Sequence, residues 1–472
     1  MNTTHLAIDL GATSGRAILA SYDGLNIESK EISRFKYPML PISGHLFWNL
    51  PLIYEEIIKS MTLAAEMLKE SGRQLDSIGI DSWGCDVAFF YKDGSLAGLP
   101  YCYRDPHTQN AAEIYCEAYG KEKLYASTGI QFMDFNTIFQ LHTLRRHNAS
   151  VIDAADKILF IPDALAYMLT GNAVTEFTVA STSQMLNLST GDFDTDILQN
   201  LGLSRTKFGK MVQPGERIGI LTPDLQRITG LGEIPVIAVA GHDTASAVVG
   251  IPSPDSDYAY LSCGTWALLG IEADEFNVSA DALNYNFTNE GGINGTTRFL
   301  KNICGMWIFE RVRKELGLED VNVGELVASC HDSACETLIN PDDSSFANPE
   351  SMTEAIRSYC LSHSLTPPVS SADYVRVIFI SLAARIAEVL ATLRSISSKD
   401  IKRLHVIGGG SKNEHLMKMI AQATGLTVVA GPAECTALGN ILVQIGAADA
   451  SCTPERLRQI SIESCNTKTF KP

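Results

Sequence analysis

The sequence predicts an α/β fold made of two related halves. Three observations carry that expectation. Two β-rich apolar runs flank a small-residue turn at residues 5–20, and the same design returns at residues 257–271 (DYAYLSCGTWALLGI). Each hairpin is followed, after some distance, by an amphipathic helical pattern. The length of 472 residues suits two large domains, since domains usually run to about 100–200 residues.

The elements follow in order. The first hairpin reads LAIDLG-ATSG-RAILA, and a more polar strand is expected at residues 25–34. Residues 53–70 carry Ile57, Ile58, Met61, Ala64, Ala65 and Leu68 at helical spacing, with Gly72 as a stop. SIGID at residues 77–81 reads as a short buried strand ending near Trp83-Gly84. Helices are expected at residues 138–147 and 161–169. IPVIAVA, residues 234–240, reads as a buried strand running into Gly241-His242-Asp243-Thr244, where a helix starts with Asp243 or Thr244 as its N-cap. The turn-rich segment after Ile251 suits a boundary, giving domains of residues 1–247 and 248–472. Beyond the second hairpin come a helix at 374–393, a strand at 403–407, Gly408-Gly409-Gly410, a helix at 412–424, a strand at 427–430 and a helix at 436–445.

Charge and cysteine usage exclude whole classes. A net charge of −17 argues against a nucleic-acid partner, which would need a basic face, and still allows a locally positive pocket for nucleotide phosphates. Eleven cysteines, with no C-x-x-C pair and no zinc-ligand spacing, fit a reduced, cytoplasmic protein better than a disulfide framework. No secretory pattern opens the sequence, and no run of about 18 uncharged apolar residues is present, so no membrane partner is expected. A monomer or a dimer is expected.

Chemistry concentrates at the turns. In Asp9-Leu10-Gly11-Ala12-Thr13-Ser14-Gly15-Arg16, a tight small-residue turn aims backbone N–H groups at an anion. The two glycines allow close approach and unusual φ. Thr13 and Ser14 add hydroxyls, and Arg16 adds a fork suited to phosphate. Asp9 is a hard oxygen ligand placed for Mg²⁺, directly or through water. One such turn is more often an ordinary hairpin. The second, at Cys263-Gly264-Thr265, favours two loops that clamp a chain of phosphates.

Asp243, between a strand end and a helix start, suits a general base that takes a proton from an alcohol. A plain helix cap fits it equally. The triple glycine after a strand suits close packing of a nucleotide, yet it is no Walker loop: no Gly-Lys-Ser/Thr ending occurs. Trp83-Gly84 with Arg104-Asp105 and Gln131 either lines a polyol pocket or, for Trp83, simply packs the core.

The hairpin turns resemble the phosphate loops of the actin and hexokinase superfamily. That superfamily has two ribonuclease-H-like domains with a catalytic cleft between them. DLGATSGR (9–16), IGIDSWG (78–84), PYCYRD (100–105), STGIQFMDFNTIFQL (127–141), HDTASA (242–247), LSCGTW (261–266), NEGG (289–292), LKNICGMW (300–307) and GPAECTALGN (431–440) occur in order over nearly the whole chain. Together they resemble the FGGY carbohydrate kinases, and most closely those acting on L-rhamnulose.

The resemblance implies ATP and Mg²⁺ as cofactors and a ketose substrate phosphorylated at O1, with Asp243 as base. Ala12, Thr13, Ser14, Gly15 and Arg16 would contact ATP, as would Thr265, Glu310 and Gly408. Gly84, His242, Asp243 and Thr244 would touch the ketose, with Asn302 nearby. Glu310 departs from the pattern: L-rhamnulose kinases carry Gln there, and an acid would need a water or a changed hydrogen bond beside ATP. L-fuculose and D-xylulose are rival substrates. A non-catalytic sugar-sensing regulator on the same fold would need a DNA-binding helix pair or a basic segment, and the sequence has no basic segment.

Overall fold

A computed structural model describes residues 2–449 and 451–472. The chain forms two compact units. The first comprises Met1–Pro254, Glu272–Phe299 and Cys435–Ser464; the second comprises Asp255–Ile271, Leu300–Glu434 and Cys465–Pro472.

The first unit is built on a six-stranded sheet. Thr3–Leu10 pairs antiparallel with Ser14–Tyr22, which pairs antiparallel with Ile27–Lys36. On its other side Thr3–Leu10 runs parallel to Ser77–Ser82, then Pro235–Ile237 continues parallel and Arg217–Ile220 closes antiparallel. The period of two explains how one strand serves two layers. Leu6, Ile8, Leu10, Ile78 and Ile80 join the core beneath the helix Leu50–Ser71. Ala7, Ile18 and Ala20 pack instead with Ala437, Ile441 and Ile445 of the helix Cys435–Ala448. The helix Leu50–Ser71 ends as expected, on Gly72 at φ 67°.

The second unit repeats the pairing order. Tyr258–Cys263 pairs antiparallel with Trp266–Ala273 and parallel with Arg403–Ile407. Thr427–Ala430 continues parallel, and Lys468–Phe470 closes antiparallel. Hairpin, parallel, parallel, antiparallel is thus common to both units. The long helix is Ser371–Ile396, started by a capping box between Ser370 and Asp373.

Three expected elements differ in detail. The strand expected at residues 234–240 is confined to Pro235–Ile237. The ladder is interrupted after Ile237 and resumes as an isolated parallel bridge between Ser82 and His242, with Ser82 N donating to Gly241 O at 2.9 Å. The helix expected at 412–424 splits into a 3₁₀ turn, Gly409–Lys412, and an α-helix, Glu414–Thr424, because Asn413 caps the latter at Leu416 N. The helix expected at 436–445 extends over Cys435–Ala448.

Among the described residues no helix is long and apolar enough to cross a membrane. Among the described residues no disulfide links any of the eleven cysteines.

The helices Asp243–Val249 and Cys435–Ala448 meet backbone to backbone. A Cβ on Gly439 would lie 1.7 Å from Ser246 O, and one on Gly250 2.4 Å from Cys435 O. Gly439→Ala is therefore expected to destabilise the first unit by about 3 kcal/mol. A lowered thermal midpoint in scanning calorimetry checks this; an unchanged midpoint contradicts it.

Candidate active site

The first turn is compact. Gly11 N donates to Ser14 O at 3.1 Å, and Tyr37 Oη donates to Gly11 O at 2.5 Å. Neither Gly11 nor Gly15 uses the left-handed region, contrary to expectation. Gly15 is needed for space: a Cβ there would lie 2.6 Å from the Phe35 ring and 2.7 Å from Leu10. Thr13 is exposed, and Ala12 and Ser14 are half-buried, so the tip of the turn faces solvent.

Arg16 and Asp9 face each other across the hairpin. Arg16 Nε and Nη2 both donate to Asp9 Oδ2, at 2.8 and 2.5 Å. The fork expected to meet phosphate is thus anchored on Asp9. Such a pair fixes the guanidinium's direction, and three N–H groups remain outside these two bonds.

Asp243 is the first residue of its helix, and the N-cap is His242, which makes no side-chain cap bond. The expected cap at Asp243 or Thr244 is therefore not formed. Asp243 Oδ1 instead accepts from Thr244 N at 2.6 Å and Thr244 Oγ1 at 3.2 Å. Its side chain keeps 32% exposure, so the carboxylate is recessed but reachable. Burial raises its pKa and the charge of Asp9 raises it further, while His242, with Nε2 at 3.4 Å from Oδ1, pulls it down.

His242 and Gly241 are held from behind by residues that sequence reading missed. His242 Nδ1 lies 3.3 Å from Glu290 Oε2 and 3.2 Å from Arg298 Nη2. Arg298 is fully buried, pairs with Glu290 at 3.1 Å and donates through Nε to Gly291 O. Buried Glu176 accepts from Gly241 N at 2.9 Å and from Thr178 N and Val179 N. The signal for Glu290 lay in the NEGG motif. Nothing local marked Glu176.

Asp81 was missed as a site residue although IGIDSWG contains it. It stands opposite Asp9 in the parallel register of Thr3–Leu10 and Ser77–Ser82. It is fully buried, and Asn440 Nδ2 donates to its Oδ2 at 2.6 Å. Burial, then the charge of Asp9, holds its carboxyl well above the usual carboxylate range; the Asn440 bond opposes this.

Of the groups that could line a polyol pocket, Trp83 takes the core-packing alternative and Asp105 is engaged by its neighbours. Trp83 is buried beside Trp48, with ring centroids 4.3 Å apart. Both indoles donate to Asp86 Oδ2, at 2.9 and 2.6 Å. Burial pushes the Asp86 carboxyl up to about 6 against those bonds. Asp105 accepts from Leu46 N and from backbone and ring nitrogens of His107. Burial alone would raise it, but these bonds bring it to about 2. Gly84 is close-packed: a Cβ would lie 2.7 Å from Thr182 Oγ1.

In the second unit, Gly264 N donates to Trp266 O at 2.8 Å, closing the second turn. Gly264 O and Thr265 O accept from Met306 N and Trp307 N, at the start of the helix Trp307–Glu315. Gly408 has φ 81°, and a Cβ on Gly410 would lie 2.4 Å from Cys263 Sγ. Gly409 faces open space. Two of the three glycines therefore have packing reasons. Burial lifts the Cys263 thiol to about 12, so it is inert at neutral pH. Glu310 is exposed and pairs with Arg313 at 3.5 Å. Asn302 lies on Thr297–Cys304. The candidates thus sort by unit: Asp9, Ala12 to Arg16, Gly84 and His242 to Thr244 in the first, and Thr265, Asn302, Glu310 and Gly408 in the second.

The N-terminal domain of the FGGY family of carbohydrate kinases matches residues 4–250, and its C-terminal domain matches residues 259–448. The chain belongs to the FGGY family. It is a carbohydrate kinase, and membership brings ATP and a sugar as substrates. A rhamnulokinase of Bacteroides thetaiotaomicron is 48% identical over 477 residues, covering 100% of this chain and 96% of that protein. A rhamnulokinase of Pectobacterium atrosepticum is 42% identical, covering 94% of this chain and 88% of its own. The crystal structure of a gluconate kinase from Lactobacillus acidophilus superposes with a TM-score of 0.82 at 15% identity, covering 100% of this chain and 94% of its own, which shows the shared actin- and hexokinase-like fold.

Followed by ¹³C NMR of its carboxyl carbon, Asp243 is expected to titrate above the ordinary value of about 3.9. His242→Gln removes a stabiliser of the ionised form and should move that titration to higher pH. Asp9→Asn removes a repelling charge and should move it to lower pH. Opposite movements would overturn the electrostatic account.

Proposed function

We propose that the chain transfers the γ-phosphoryl group of ATP to O1 of L-rhamnulose, giving L-rhamnulose 1-phosphate and ADP. The carrying observation is the 48% identity to the Bacteroides rhamnulokinase over the full length of this chain. The geometry of Asp243 supports the chemistry. A half-buried carboxylate at a helix start, with its pKa raised, makes a stronger base than a solvated aspartate.

Asp243 takes the O1 proton as the oxygen attacks phosphorus. His242, braced by Glu290 and Arg298, fixes the direction from which the sugar hydroxyl approaches. Gly84, Thr244 and Asn302 are the remaining sugar contacts. Arg16, aimed by Asp9, meets phosphate, with the turn Ala12, Thr13, Ser14 and Gly15. Thr265, Glu310 and Gly408 contact the nucleotide. Because Glu310 already pairs with Arg313, its approach to ATP takes a water or that cation as intermediary. Residues 1–247 carry the phosphate loop and the sugar contacts other than Asn302, and residues 248–472 carry the nucleotide contacts. A cytoplasmic setting fits a kinase fed by ATP.

Mg²⁺ fits the donor set. Asp9 offers a hard carboxylate beside Asp243, and Asp81 Oδ1 is a buried oxygen without a hydrogen bond. Among the described residues no group of three or more His, Cys, Asp or Glu is arranged to hold a metal alone. The cation would therefore be held jointly by Asp9, water and nucleotide phosphates. Bound there, it would neutralise charge on the phosphates.

ADP release measured on L-rhamnulose, L-fuculose and D-xylulose tests the proposal, with L-rhamnulose expected to give the highest kcat/KM. A higher kcat/KM on either other ketose would overturn the substrate assignment. Arg16→Ala is expected to cost on the order of 100-fold in kcat/KM for ATP. Unchanged rate and ATP affinity would remove Arg16 from the site.

A further inference from the structure

A chain of buried polar side chains runs behind the site, within the first unit. His5 bridges Thr3 Oγ1 and Ser77 Oγ, each at 2.8 Å. Ser77 Oγ donates to Gln444 Oε1 at 2.6 Å. Gln444 Nε2 donates to Asn440 Oδ1 at 2.7 Å and to Leu6 O at 3.2 Å. Asn440 Nδ2 then donates to Asp81 Oδ2 at 2.6 Å. His5, Ser77, Asp81, Asn440 and Gln444 are all buried.

The sheet is shaped to admit this chain. His5, Ala7 and Asp9 alternate onto one face, and Ser77, Gly79 and Asp81 stand opposite them in register. Gly79 has no side chain where both amides enter. A Cβ there would lie 2.5 Å from Asn440 Oδ1 and 2.8 Å from Gln444 Nε2. Burying two amides in a helix–sheet interface is costly unless every group is paired, and apolar residues would pack there more cheaply. The network ends on a carboxylate whose register partner is Asp9.

We propose that Asn440 and Gln444 are positioning residues for phosphoryl transfer, acting through Asp81 on the Asp9–Arg16 pair. Asn440 holds Asp81 by Oδ2, and Gln444 and Ser77 hold Asn440. Held this way, Asp81 leaves Arg16 to Asp9. Without the amide, Asp81 Oδ2 has lost its hydrogen bond, and the carboxyl stands opposite Asp9 in register. It is then free to turn against the Asp9–Arg16 pair and to disturb the guanidinium that Asp9 aims. The inference rests on Asp9 and Arg16 serving ATP, as proposed above.

The test is a double-mutant cycle of Asn440→Leu and Asp81→Asn in the full chain, assayed with whichever ketose the wild type turns over. Asn440→Leu is expected to lower kcat on the order of 10- to 100-fold while leaving the ketose KM near wild type. The Mg²⁺ concentration needed for half-maximal ADP binding by calorimetry should rise in parallel. The double variant should be no worse than the worse single, because both act through one carboxylate. Asn440→Ser, which relieves any crowding, should behave as Asn440→Leu does and covers misfolding of the larger residue. Wild-type kcat in either Asn440 variant, single effects that multiply in the double, or an unmoved Mg²⁺ requirement would overturn the proposal. A wild type that binds ADP but fails on L-rhamnulose alone would sink the substrate assignment and leave this cycle readable.

Discussion

Strand register forces two carboxylates together, and the first unit is organised around that constraint. Asp9 and Asp81 stand opposite one another in a parallel pair. Asp243 feels the charge of Asp9 as well. Like charges in a poorly hydrated interior repel, so each carboxylate needs a separate solution. Asp9 takes Arg16, Asp81 takes Asn440, and Asp243 takes Thr244 with His242 alongside. These partners come from the hairpin, from a helix more than 350 residues further along the chain, and from the helix start itself. The tight contact between the helices Asp243–Val249 and Cys435–Ala448 falls at Gly439, the residue next to Asn440.

The distribution of partners suits phosphoryl transfer. That chemistry asks for positioned charge more than for covalent steps. Asp243 is left recessed, raised in pKa and still accessible, whereas Asp81 is sealed. Equivalent residue types thus acquire different tasks from their burial and their partners. The second unit repeats the pairing order of the first without repeating this cluster. Its strand Arg403–Ile407 runs instead into glycines that pack on Cys263.

Much of this was legible in the sequence because local patterns encode it. Alternating and helical periodicities placed both hairpins, the helix closed by Gly72 and the strand Arg403–Ile407. The repeated hairpin exposed the two-unit plan, and the motifs exposed the family. Failures came where long-range packing decides. The strand expected up to Ala240 stops at Ile237, where Ala238 bonds to Glu216 and Gly215, and the chain meets the sheet again at the Ser82–His242 bridge. For Trp83 the sequence left pocket and core open, and packing decides for the core: its indole N–H is spent on Asp86, while Asp105 is spent on His107 and Leu46. Asp81 looks like a strand residue until the register sets it beside Asp9. The amides of Asn440 and Gln444 read as an ordinary helix, since their partners lie at the opposite end of the chain.

The account stands most directly on Asp243 as the base. The decisive measurement is single-turnover phosphoryl transfer by Asp243→Asn, with ATP and L-rhamnulose saturating and ATP affinity measured separately. The account predicts a rate lower by roughly 10²- to 10⁴-fold with ATP binding retained. A near-normal rate would contradict it.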